Sequence, residues 1–392
     1  MKSILAMIIC ILTVVSIVSC STGNKSDLLS FIPEAGFPVC ETSYEFIDNM
    51  TYGWNLGLAM SYYNANEPLL DSRPDITSED VVSAQVAWGN PVTTQEMINE
   101  VRDKGFNLIR VQVSYYNHMD AEGNIDKLWL DRVVEVVDYC MNADVYCLLT
   151  ATGLCWATAE PKTFEEQSAI YRRIWEQVAA RFVDYDDRLL FESFNELLPE
   201  GGWGSSVKDK HIDTLEKFCQ VFVDTVRASG GYNETRNLVI NPIAATYSYD
   251  LNKKFDMPKD PADNHLIASV HCYHPQQFCF NETNLGSTDF RNEWGGATDE
   301  EELDSLLRDV RKRFIEELEV PVIVGEFGVV DRATEEERAE YISFYSKTAK
   351  KYGIKLVLFD DGWDFTVFER EDLSWPYEKV IEALFSAEEV NE

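Results

Sequence analysis

Short runs rich in Val, Ile and Leu alternate along this chain with longer segments whose apolar residues recur at helical spacing. The short runs predict strands over Tyr52–Leu58, Asn107–Val113, Val145–Ala151, Leu189–Asn195, Leu238–Pro242, Leu266–Tyr273, Val322–Glu326 and Lys355–Asp360. The longer segments predict helices over Thr94–Lys104, Leu128–Met141, Glu165–Phe182, Ile212–Arg227, Glu300–Glu319, Glu335–Tyr352 and Tyr377–Phe385. Thr93-Thr94-Gln95-Glu96 reads as a helix start and Lys104-Gly105 as a stop before the next strand. Eight strands separated by helices fit a closed parallel (β/α)8 barrel of the α/β class better than an open sheet.

Two of the runs end in chemistry. Phe191-Glu192-Ser193-Phe194-Asn195-Glu196 and Pro321-Val322-Ile323-Val324-Gly325-Glu326-Phe327-Gly328 each carry an apolar stretch to a glutamate, Glu196 and Glu326. A carboxylate where a buried strand meets solvent is held by a rigid element and still reaches a substrate. Barrels of this class do their chemistry at the C-terminal ends of the strands, so the two glutamates suggest a paired-acid site.

Composition narrows the field. No Pro/Gly/Ser-rich linker or charge run divides the middle of the 392 residues, so residues 41–392 read as one barrel domain. A hydrophobic fraction of 45% supplies a sizeable core. The formal net charge of −34 repels phosphate backbones and anionic headgroups, which argues against nucleic acid or a membrane surface as a partner of the folded domain. A neutral sugar polymer feels no such repulsion, and solubility alone also explains the charge.

The N-terminus reads as an export signal. Lys2 is the only charge before the apolar stretch Ile4–Val18, which is too short for a permanent span. Ile17-Val18-Ser19-Cys20 resembles the bacterial lipobox, whose cysteine is acylated and becomes the new N-terminus. On that reading residues 1–20 are a lipoprotein signal, 21–40 a tether, and lipid on Cys20 the sole membrane contact. The protein would then sit at the bacterial cell envelope, on the outer membrane or cell surface, facing outside the cytoplasm. Ordinary secretion with cleavage nearby is the alternative.

Apart from Cys10 and Cys20, the cysteines Cys40, Cys140, Cys147, Cys155, Cys219, Cys272 and Cys279 are odd in number and lack C-x-x-C spacing, so at least one thiol stays free. His271-Cys272-Tyr273-His274 invites a zinc reading. Strand alternation sends His271 and Tyr273 to one side and Cys272 and His274 to the other, which does not gather four ligands, and no metal site is expected.

Gly53-Trp54-Asn55-Leu56-Gly57, Trp88-Gly89-Asn90-Pro91, Gly105-Phe106-Asn107-Leu108-Ile109-Arg110, Asn195-Glu196, His271-Cys272-Tyr273 and Gly325-Glu326-Phe327-Gly328 occur in that order. Together they make the chain, from about Tyr44 to Phe385, resemble glycoside hydrolase family 5, in particular its endo-β-1,4-glucanase and xyloglucanase branch. Each motif alone is weak; six in order are specific. The resemblance implies a retaining glycanase with Glu196 as general acid/base and Glu326 as nucleophile. That chemistry needs two carboxyls about 5 to 5.5 Å apart and calls for no metal or organic cofactor. Tyr273 is suited to hydrogen-bond Glu326, His271 to reach the acid/base, and Arg110 to hold Glu326 ionised. The resemblance also implies that Asn195 binds the sugar 2-hydroxyl, and His118 in Tyr116-Asn117-His118-Met119-Asp120 matches its second-loop pattern. Trp54, Trp88, Trp156, Trp203, Trp294 and Trp363 are candidates to stack on pyranose rings, with two or three expected to touch sugar. The expected partner is a polysaccharide or oligosaccharide, and the chain is expected to act as a monomer.

The chain departs from the family pattern on the side that would hold the glycone sugar. Thr152 and Gly153 stand where the family pairs histidines, Leu58 follows Gly57 where it places asparagine, and Phe359 replaces a tryptophan. These changes remove hydrogen-bond donors and leave space that could admit a side branch, which favours a decorated glycan such as xyloglucan over linear glucan. Two classes stay open at this point: an active retaining endo-glycanase, and a lipid-anchored glycan-binding barrel without useful turnover.

Overall fold

Eight parallel strands pair in sequence order, and the last closes on the first. The computed structural model describes residues 39–66, 76–153, 155–202, 205–280 and 290–387, all within one compact unit spanning 31–392. Its strands are β1 Tyr52–Met60, β2 Leu108–Ser114, β3 Tyr146–Thr152, β4 Leu189–Glu192, β5 Leu238–Ile240, β6 Leu266–His271, β7 Val322–Phe327 and β8 Lys355–Leu358. The (β/α)8 barrel and its eight strands are those expected, with corrections at the ends. β4 stops at Glu192, not Asn195, because the Asn195 amide turns to the carbonyl of Ala151 (3.0 Å) while Phe194 swings outward to stack on Tyr171 (4.3 Å, 7°). β5 stops short of Pro242, which has no N–H to donate to a ladder.

Helices Gln95–Asp103, Lys127–Asn142, Phe164–Arg181, Asp209–Ala228, Ala297–Arg311, Glu335–Tyr352 and Glu378–Phe385 surround the sheet. Thr94 caps the first of them by accepting from the Met97 amide, and Gly105 at φ 115° provides the turn after it. The helix expected over Glu300–Glu319 instead ends at Arg311 and passes into a π-type turn, Lys312–Glu317, where buried Arg313 reaches the carbonyls of Asn252 and Phe255. Two helices lack a readable period, Ser43–Asn49 and Ser78–Val86. Reciprocal capping boxes start them, Thr42 with Glu45 and Thr77 with Asp80.

Leader, lipobox and Cys20 lie outside the described residues, as does the tether up to residue 38. Its last residue is docked rather than loose: Cys40 is buried and its amide donates to Thr235 Oγ1 (3.0 Å). Among the described residues no helix is long and apolar enough to cross a membrane.

Inside the barrel, Leu108, Leu148, Leu190, Val239, Ile267, Ile323 and Val357 form a ring with no exposed surface, plugged from below by Phe46 and Met50. β1 contributes Gly53, where a Cβ would meet Leu108 Cδ2 at 2.7 Å and Val357 Cγ1 at 2.8 Å. The opposite strand faces pack on the helices through Trp129, Trp175, Tyr341 and Tyr345. Two residues further along the strands, the interior side chains turn polar.

Candidate active site

Alternation carries Asn55, Arg110, Thr150, Glu192 and Ser269 inward above the apolar ring, and all are buried. Arg110 organises this layer with its five N–H groups. Its Nε and Nη2 meet both oxygens of Glu192 (2.7 and 3.0 Å), Nη1 meets Asn55 Oδ1 (2.9 Å) and Glu326 Oε1 (2.8 Å), and Nη2 also meets Asn195 Oδ1 (2.8 Å). Burial opposes the guanidinium charge, but Glu192 and Glu326 outweigh it and raise the pKa above its ordinary value.

Glu326 reaches the site through a bulge. Val270 pairs with Val324, and the next residue of β6, His271, pairs with Glu326, so Gly325 is an extra residue in β7. The same surplus appears against β8. Plain alternation would send Glu326 outward with Val322 and Val324; the bulge re-aims it and leaves Phe327 outward against Tyr345 (4.6 Å). Asn55 Nδ2 donates to the Gly325 carbonyl (3.0 Å), and a Cβ at Gly325 would meet Ser269 Oγ at 2.5 Å. Glu326 Oε1 accepts from Arg110 and from Gln112 Nε2, and Oε2 accepts from the Tyr273 hydroxyl (2.9 Å).

Glu196 lies four residues past β4, on the loop rather than at the strand end. Its Oε1 is 2.7 Å from His271 Nδ1, and burial pushes its pKa up to about 7, with Arg110 pulling the other way. Burial likewise pulls His271 down to about 4, so the imidazole is neutral near pH 7. Its Nε2 faces Arg110 Nη2 (3.5 Å), which can only donate, so the network assigns the ring proton to Nδ1, donating to Glu196. Glu196 is therefore free to carry its own proton on the other oxygen.

One oxygen of Glu196, one of Glu326 and a nitrogen of His271 lie within 4.8 Å of one another. Such a trio has the donor set of a cation cradle too, but its atoms are engaged in the hydrogen bonds just described. An approach this close between one oxygen of each glutamate is compatible with the roughly 5 to 5.5 Å carboxyl separation of a retaining pair.

Glu196, Glu326, Arg110, Asn195, His271 and Tyr273 thus converge. Cys272 turns into the core and His274 goes to Glu302 (3.2 Å), as alternation required. His118 follows β2 in a short 3-10 turn, buried with its ring flat on Trp129 (3.7 Å, 9°). Trp363 is 57% exposed after β8 and donates to the carbonyl of Trp88, which packs edge-on with Tyr62 and Tyr63. Trp88 and Trp363 offer open faces, whereas Trp54, Trp156 and Trp294 are buried and cannot stack on sugar as they stand. Trp203 lies outside the described residues.

At Gly153 the space expected from the departures is not open. A Cβ at Gly153 would meet Phe194 at 3.1 Å and Leu197 at 3.3 Å, so side chains already fill that volume. The Phe359 ring stands nearly perpendicular to that of Tyr273 (6.0 Å, 86°). Leu58 has φ 56°, a left-handed conformation that asparagine tolerates better than leucine. Sequence reasoning missed Asn55, Gln112, Glu192 and Asn241, the last donating to Glu192 (2.8 Å). For Gln112 the signal was its place two residues beyond Arg110 on one strand face.

Comparison with known proteins identifies the family. Residues 73–364 match the family model "Cellulase (glycosyl hydrolase family 5)". The chain is 32% identical over 358 residues to endoglucanase A of Clostridium longisporum, covering 87% of this chain and 65% of that protein. It is 31% identical to endoglucanase A of Ruminococcus albus, covering 88% of this chain and 92% of the relative. Among solved structures it is similar, with a TM-score of 0.80 and 30% identity, to a GH5-4 broad specificity endoglucanase from Ruminococcus champanellensis with bound cellotriose, covering 88% of this chain and 98% of that one.

Proposed function

The chain belongs to glycosyl hydrolase family 5, and we propose that it is a retaining endo-β-glycanase that cleaves β-1,4-linked glucan or a decorated form of it. The observation that carries this reading is the carboxyl pair, one oxygen of each within 4.8 Å of the other, one member beside neutral His271 and raised to about 7, the other met by N–H and O–H donors. Protonated Glu196 donates to the departing glycosidic oxygen as Glu326 attacks the anomeric carbon; ionised Glu196 then takes a proton from the water that releases the sugar. A barrel that only bound glycan would have no use for this division of labour. The cellotriose held by the Ruminococcus champanellensis relative supports a β-1,4-glucosyl chain as the substrate backbone.

Following the anomeric configuration of the first product by NMR during hydrolysis of a soluble β-glucan tests the reading. The β-anomer is expected before mutarotation; initial α-anomer, or glycan retardation in gels without any reducing-end release, would refute it.

For the N-terminus we propose export and acylation at Cys20, supported by Ile17-Val18-Ser19-Cys20. Cys20→Ser should move the protein out of the membrane fraction. Unchanged fractionation, with no acyl mass on the wild-type N-terminus, would reject the anchor.

A further inference from the structure

Resting on the retaining reading above, we infer that Gln112 is a positioning residue: it determines which oxygen of Glu326 attacks, and it stabilises that carboxylate as the sugar leaves it. Gln112 is 7% exposed, on β2 two residues beyond Arg110. Its Nε2 donates both to Glu326 Oε1 and to Asn195 Oδ1 (2.8 Å). The amide orientation follows from the neighbours, since Arg110, which can only donate, bonds to each of these oxygens as well. Both are therefore acceptors, and the NH2 end of Gln112 must face them.

Two consequences follow. Oε1, with two N–H donors, has its lone pairs filled; Oε2 accepts from the Tyr273 hydroxyl (2.9 Å), while His271 Nδ1, 3.5 Å away, directs its proton to Glu196 at 2.7 Å, so Oε2 keeps a lone pair for the anomeric carbon. In the first step Oε2 bonds to that carbon, the leaving oxygen takes the glycosidic electron pair and the Glu196 proton, and Oε1 becomes an ester carbonyl. In the second step water bonds to the carbon, gives a proton to Glu196, and the electron pair of the ester bond returns to Oε2. A carboxylate oxygen accepts an N–H bond more strongly than an ester carbonyl does. The Gln112 bond accordingly weakens while the ester forms and strengthens while it breaks, which favours the second step over the first. The other N–H, shared with Arg110 on Asn195 Oδ1, holds that amide with its nitrogen turned from the network.

Gln112→Met keeps the length and removes the donors. With an aryl β-cellobioside bearing a good leaving group, release of the sugar limits turnover. The variant should show kcat lowered by about ten- to a hundred-fold, kcat/KM no lower than wild type, and a burst of phenolate. Equal falls in kcat and kcat/KM, as a purely structural role would give, or no change in either, would overturn the proposal. Should the variant not fold, wild-type enzyme trapped with a 2-deoxy-2-fluoro cellobioside decides. An ester on the oxygen facing Tyr273, with Gln112 on the other oxygen, supports the proposal. An ester on the oxygen facing Arg110 and Gln112 overturns it. A wild-type enzyme neither turned over nor labelled at Glu326 would defeat the retaining reading itself, and this inference with it.

Discussion

In the floor of the barrel Leu108, Leu148, Leu190 and Ile323 meet one another with hydrocarbon alone, while two residues further along three of those strands present Arg110, Thr150 and Glu192. The floor is non-directional, so its worth scales with area and a similar volume would serve as well. The upper layer is directional. Arg110 has one acceptor for each N–H, and the carboxylates it holds are buried, so removing any member strands the others. The floor holds the strands at fixed spacing, and that spacing lets the upper layer hold two carboxyls a few ångströms apart with different hydrogen-bond partners.

The largest expected effect separates chemistry from stability. Glu326→Gln should lower kcat by about 10^4-fold or more while leaving the melting temperature within a few degrees of wild type. A residual rate within a hundred-fold would remove Glu326 from the nucleophile role. Arg110→Met should hurt both properties, with a loss of about 3–5 kcal/mol in denaturant unfolding because Glu192 and Glu326 stay buried without their cation. A fully active variant with unchanged stability would break the distinction between the layers. Ile323→Ala in the floor should cost about 2–5 kcal/mol yet keep kcat near wild type well below its melting temperature. A collapse of kcat at intact fold would show that the floor tunes the site directly. The smallest effect concerns strain at the mouth: Leu58→Asn, at φ 56°, should stabilise by about 1 kcal/mol, read as a rise in melting temperature. A fall would mean that leucine packing there outweighs the strain.

The same contrast explains what could be read from the chain. Floor strands are legible because runs such as Val322-Ile323-Val324 and Leu148-Leu149 look buried in any register. Glu196, Glu326, Arg110, His271 and Tyr273 were legible through motif order. The route that brings Glu326 inward was not, because the bulge at Gly325 depends on pairing with both β6 and β8, to which period-two alternation is blind. Gln112 followed from Arg110 by simple alternation, yet its side chain carries no charge and drew no notice. The volume beside Gly153 is filled by Phe194, whose outward turn begins where β4 ends early, an event set by the contact with Tyr171. The helix Ser43–Asn49, which plugs the floor, was too short to show a period and was marked only by its capping box.

The proton state of Glu196 tests the division of the upper layer most directly, through the pH dependence of kcat/KM on an unactivated β-glucan oligosaccharide. Burial raises Glu196 to about 7, so the acid form prevails below that pH and is lost as pH rises through it. The basic limb should bend near pH 7 in the wild type and be absent from Glu196→Ala acting on an activated aryl glycoside. A wild-type profile flat to pH 9, or the same limb persisting in Glu196→Ala, would contradict it.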